Sequence, residues 1–131
     1  MEVGSNLRNC DFTWCHQNFP FFDEHKRAGG GSEIVTKKDA IFILVTDEQG
    51  NFGIGEASFV TVPGRVEPNI QKELESLKAF NSSAMVDERA IYNLSPRLRY
   101  ALSMAQADLI AKKKGVPLWA YLRQLLRDHG I

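Results

Sequence analysis

An α+β fold is predicted, a three-stranded antiparallel meander followed by a bundle of three to four helices, and two observations predict it. From residue 11 to residue 57 the apolar pattern is strand-like, in short aromatic and β-branched runs divided by glycine- and proline-bearing turns. From about residue 68 to residue 128 the period changes to 3.6, with leucines recurring three and four positions apart. The two classes are segregated along the chain, which separates α+β from an alternating, parallel α/β arrangement. At 131 residues the chain reads as one domain over 1–131, with strands in the first part and helices in the second.

Residues 11–17, Asp-Phe-Thr-Trp-Cys-His-Gln, alternate loosely and predict the first strand. Residues 18–32 follow as a long loop, because Pro20 and the run Gly29-Gly30-Gly31 interrupt regular structure. Residues 40–46 form a continuous apolar run, so a strand covered on both faces is expected. Residues 47–51 carry a glycine suited to a turn, and residues 52–57 return as the partner strand of a hairpin. Gly53 and Gly55 leave one face of that strand bare, which predicts a bulge or a close backbone approach. Residues 59–65 read as a second irregular loop.

The helical half opens with Ile70, Leu74, Leu77 and Phe80 on one face, after a start that Pro68 favours. A shorter helix over 87–94 takes Asp87 as its N-cap. The strongest signal is Ser95-Pro96, a capping serine before a proline at the first helical position. Its apolar stripe is Leu98, Leu102, Ala105 and Leu109, widened by Ala101, Met104 and Ile110. Lys112, Lys113 and Lys114 suit the C-terminal end of the helix dipole, and Gly115 stops the helix. Pro117 opens a last helix to about residue 128, carrying Leu118, Leu122, Leu125 and Leu126.

Composition excludes several classes. Sixteen lysines and arginines balance sixteen aspartates and glutamates, so no basic field draws the chain to nucleic acid or to a membrane surface. No apolar run is long enough to span a bilayer, and residues 1–6 lack the pattern of a signal peptide, so a cytoplasmic protein is expected. Cys10 and Cys15 are read as free thiols. A zinc site made from them with His16 and His25 fits no usual ligand spacing, and Cys15 and His16 would point to opposite faces of a strand.

No residue set in the chain makes a self-sufficient active site. His16, His25 and His129 accompany no serine elbow. Gly29-Gly30-Gly31-Ser32 lacks the lysine of a phosphate loop and precedes a strand. Glu56 has the chemistry of a general base, but the sequence places no second carboxylate, metal or histidine beside it. Asp108 stands four residues before Lys112, the favourable order for a structural ion pair on a helix. No catalytic and no metal-binding residue is assigned.

Two segments together carry a resemblance. Residues 36–58 read T-K-K-D-A-I-F-I-L-V-T-D-E-Q-G-N-F-G-I-G-E-A-S, and residues 95–118 read S-P-R-L-R-Y-A-L-S-M-A-Q-A-D-L-I-A-K-K-K-G-V-P-L. A hairpin ending G-x-G-E-A-S and, about forty residues later, a helix A-L-x-M-A-x-x-D-L-x-A-K-x-x-G-V-P-L resemble the N-terminal capping domain of the enolase superfamily, in its muconate-lactonizing branch. Residues 26–32 and 62–64 look most like the o-succinylbenzoate synthases of menaquinone synthesis, with dipeptide epimerases and N-acylamino-acid racemases as open alternatives.

The resemblance implies an enolase N-terminal-like fold and a division of labour. In the family a following (β/α) barrel, absent from this chain, holds Mg²⁺ and the catalytic lysines and removes a proton α to a carboxylate. The capping domain closes loops over the barrel mouth and sets specificity for a small carboxylate substrate. Here those loops would be residues 18–32 and 59–65, with Lys26, Arg27, Gly30, Gly31, Ser32, Val62, Pro63 and Gly64 as the substrate-binding positions. The expected partner is the chain's own barrel, or another copy of the fragment, and residues 1–131 alone are expected to be inactive. Other readings are a standalone binding module and a nucleic-acid or regulatory module, the last disfavoured by the charge balance.

Overall fold

The computed structural model describes residues 10–20, 37–80 and 87–130, apart from the Glu88 side chain. Three strands, β1 (Asp11–Pro20), β2 (Lys37–Thr46) and β3 (Phe52–Thr61), form one antiparallel sheet in the order β1-β2-β3. Four helices follow: α1 (Ile70–Ala79), α2 (Glu88–Tyr92), α3 (Pro96–Lys113) and α4 (Leu118–Asp128). The predicted α+β meander and helix set are therefore present, and no barrel occurs among the described residues. No helix among them is long and apolar enough to cross a membrane.

Register explains which side of the sheet is buried. Trp14 pairs with Ile43, and Ile43 with Gly55; Phe12, Val45 and Gly53 line up in the same way. Partners in a ladder share a face, so these residues make one surface. Ile41, Ile43 and Val45 are fully buried there, in one core with Leu77, Leu98, Leu102 and Leu109 from the helices. Phe12 meets Phe80 edge to face at 5.1 Å between ring centroids, fastening β1 to the end of α1.

The opposite face differs from expectation. The apolar run of β2 predicts cover on both sides, but Phe42 and Leu44 are only half-buried and join no buried cluster. Cys15 pairs with Phe42 and Leu44 with Ile54, so this face carries an apolar patch among polar residues while the core helices pack on the other.

The strands also run further than predicted. Residues 18–20 and 59–61, read as loop, are paired with residues 37–39 on either side of β2. Phe59 is buried, and Phe-Val-Thr is good strand sequence once a partner is present. Pro20 is tolerated because it ends an edge strand. Helix starts are shifted by a residue or two. The Asn69 side chain, accepting from the Lys72 N–H at 3.0 Å, caps α1, which begins at Ile70, two residues after the Pro68 expected to open it. Pro117 is the N-cap of α4 instead of its first residue. Asp87 and Ser95 are the caps the sequence predicts. In α4 the buried centre is Tyr121, packed on Ile110 and Ala111, and Leu126 is exposed.

The β2–β3 turn is held by one buried carboxylate. Asp47 Oδ1 accepts the N–H groups of Gln49 and Asn51 at 2.9 and 2.8 Å, and Oδ2 accepts Asn51 Nδ2 at 2.9 Å. Burial pushes the Asp47 carboxyl up, but these hydrogen bonds and nearby Lys113 leave it below its ordinary value. Gly50, at φ +87°, supplies the left-handed step that lets the chain reverse.

Candidate functional site

The two motif segments meet in space. Gly53 and Gly55 lie directly under α3: a Cβ on Gly53 would strike the Ala105 carbonyl oxygen, and one on Gly55 the Ala101 carbonyl oxygen. The close-approach reading of the glycines is the one realised, with no room for a methyl group between strand and helix. Small residues on both sides, Gly-x-Gly below and Ala101 and Ala105 above, are thus one packing requirement written twice in the sequence.

A second stripe of α3 ties down the free edge of β3. Lys112 Nζ donates to the Phe52 carbonyl at 2.7 Å, Asp108 Oδ2 accepts the Ile54 N–H at 3.1 Å, and Arg97 donates to the Ser58 carbonyl at 3.0 Å. Positions 97 and 108 differ by three turns of an α-helix and so share a side. Asp108 and Lys112 also form their expected pair, at 3.4 Å. Sequence spacing shows that pair but not the third partner, because the strand edge it satisfies is 54 residues away.

Between the β3 edge and the start of α3 lies a cleft lined by Glu56, Ala57, Ser58, Pro96, Arg97 and Tyr100. Glu56 is not poised as a base there. Its carboxylate accepts from Lys38 Nζ at 2.8 Å and from Ser58 Oγ at 2.7 Å, and these bonds, Lys38 first, hold it below its ordinary value.

The end of the sheet where Pro20 pairs with Lys37 holds a polar cluster that sequence reading missed. Asp39 lies on the core side of β2, 4% exposed. Its Oδ1 accepts from His16 Nε2 at 2.8 Å and from Asn18 Nδ2 at 3.1 Å. Burial raises the Asp39 carboxyl, but the bonds from His16 and Asn18, with Lys37 nearby, reverse the shift and leave it lowered. Asn18 faces Asp39 across the ladder, and His16 is two residues along on the same face, so the cluster was readable once the register was known. Lys37 is tied in turn to Glu67 at 3.3 Å, beyond the end of β3.

Of the positions that the resemblance makes substrate-binding candidates, Lys26, Arg27, Gly30, Gly31 and Ser32 lie outside the described residues. Val62, Pro63 and Gly64 form a turn after β3, in which the Arg65 N–H donates to the Val62 carbonyl at 3.1 Å and Gly64 has φ +86°. Proline followed by glycine at positive φ is the pattern of a type II turn. Val66, next to it, is 98% exposed, and Phe19 and Val60 are exposed at the same end of the sheet.

Among the described residues no three His, Cys, Asp or Glu side chains gather as a metal site. Cys10 is buried and Cys15 exposed, and burial raises the Cys10 thiol. No family model matches the chain, and no curated protein matches it. The resemblance to the enolase capping domain rests on the motif residues alone.

Proposed function

We propose that this chain is the substrate-specificity capping domain of a Mg²⁺-dependent enolase-superfamily enzyme, an o-succinylbenzoate synthase by its loop motifs. The observation that carries the reading is the contact of Gly53 and Gly55 with Ala105 and Ala101. The two segments that resemble the family are the two that depend on each other for packing, so their joint occurrence has one physical cause. The exposed Phe19 and Val60 at one end of the sheet, with Val66 beyond the turn at 62–65, support the reading too, since a domain that closes over a barrel mouth presents apolar surface there.

In this account the chain performs no proton transfer. Glu56 is held as an ion by Lys38 and Ser58, and Asp39 by His16 and Asn18. Neither offers a proton or takes one near neutral pH, where a general base is most effective. The Mg²⁺ and the base belong to the barrel. The capping domain would contribute the excluded water and the shape of the substrate pocket.

The test is turnover. Purified residues 1–131 with Mg²⁺ and the cyclohexadiene carboxylate precursor are expected to form no o-succinylbenzoate. Measurable, enzyme-proportional formation would overturn the assignment.

A further inference from the structure

The far end of the molecule has a different chemistry from the sheet end. The whole chain is electrically balanced, yet from Lys112 onward five lysines and arginines accompany a single acidic residue, Asp128. α4 carries Trp119, Arg123 and Arg127 four residues apart, so they succeed one another along one side of the helix.

These three side chains, with Lys114, Val116, Gln124 and Tyr121, the residue that seats α4 on α3, line a cleft of about 360 Å³. Its size lies in the range of small-molecule sites, which begins at roughly 300 Å³. Asp128, the acidic residue in the lining, is engaged by Gln124 Nε2 at 2.8 Å. The Lys114 ammonium lies 5.7 Å from the centre of the Tyr121 ring. Arg123 and Arg127 pair with no carboxylate among the described residues.

Two features here take no part in the packing of α4 on the core. Like charges at i and i+4 oppose helix formation, and an anion between them reverses that sign. Trp119 is 66% exposed, although the apolar side of α4 that meets the core is elsewhere. A ligand with an aromatic body and an acidic head relieves both.

We infer that this cleft binds a small organic anion, its flat ring stacked on Trp119 and its carboxylate or phosphate group held between Arg123 and Arg127. Side chains four apart on a helix stand about 5–6 Å from one another, so one oxyanion head reaches both guanidiniums while the ring reaches the turn before. Arginine's planar fork suits such a head. The inference rests on α4 and the Lys114–Val116 turn and is independent of the capping reading.

The experiment titrates the chain with 1-naphthyl phosphate and with 1-naphthoate, following the Trp119 indole and the α4 amides by NMR. Saturable one-to-one binding that shifts these signals is expected from at least one of them, and which one identifies the preferred head. Inorganic phosphate and naphthalene methanol, each lacking one half of the ligand, should bind at least tenfold more weakly. Arg123→Gln, Arg127→Gln and Trp119→Ala should each weaken binding at least fivefold. All three groups are exposed, so the amide spectrum away from α4 should be unchanged, which separates loss of binding from loss of fold. No saturation up to millimolar probe, affinity unchanged in both arginine variants, or tighter binding of a uridine oligonucleotide than of either naphthyl probe would overturn the inference.

Discussion

A methyl group at Gly55 would run into the Ala101 carbonyl, whereas one at Gly50 would meet nothing within 4 Å. The two glycines are needed for different reasons, and the same substitution separates them. Gly55→Ala forces α3 off the sheet and is expected to cost about 3 kcal/mol, lowering the melting temperature by on the order of 10 °C. Gly50→Ala strains only a turn at positive φ and should cost about 1 kcal/mol. Equal effects in thermal unfolding would refute the close contact. Asp39 gives a second prediction at this scale. Its folded carboxyl titrates below the ordinary value of about 3.9, so its contribution is complete above that value and is lost as pH falls through the lower, folded one. Denaturant unfolding from pH 7 to pH 3 should therefore show Asp39→Asn less stable than the parent at neutral pH, with the gap closing in acid. A gap that does not change with pH would mean that the His16 and Asn18 bonds do not hold the ionised form.

Elements differ in how firmly they are held, and in how far the sequence announces them. α3 is gripped twice, by the Gly-Ala contact and by the three side chains on the β3 edge, and its cap adds a third tie. Ser95 Oγ accepts from the Leu98 N–H at 3.4 Å and donates to Glu73 Oε2 at 2.7 Å, joining α3 to α1. Ser95→Ala is expected to cost about 1 kcal/mol, more than the loss of an isolated cap only if the Glu73 bond matters, and Glu73→Gln in the same background separates the two. α4, by contrast, rests on the small cluster of Tyr121, Ile110 and Ala111. Its amides should exchange with solvent faster than those of β2 and α3, and Tyr121→Ala should release α4 while the sheet stays folded. Caps and leucine stripes made the helices legible, because both signals are local. Strand ends were not legible: 18–20 and 59–61 become strand only because 37–39 lies between them. The Asp39 cluster was hidden for the same reason, and the edge role of Asp108 needs a partner far along the chain.

For the molecule as a whole, the sheet is one-sided. Its core face is closed, while Phe42, Leu44, Phe52 and Ile54 leave an apolar surface on the other. The isolated chain should bind a hydrophobic dye there, and Ile54→Lys, at an exposed position, should abolish most of that fluorescence without unfolding the protein. An unchanged signal would place the dye elsewhere. The functional reading depends less on this surface than on what accompanies the domain. The described residues show a meander with helices on one face, and the Asp39 and Glu56 carboxylates engaged by neighbours, which suits a domain that shapes a site belonging to something else. The measurement that tests this most directly is the sequence of the native transcript through and past the codon for Ile131. A continuing frame is expected, encoding alternating strands and helices, with a K-x-K at one strand end and carboxylates at others. A stop codon immediately after Ile131, with no barrel encoded in frame, would contradict it.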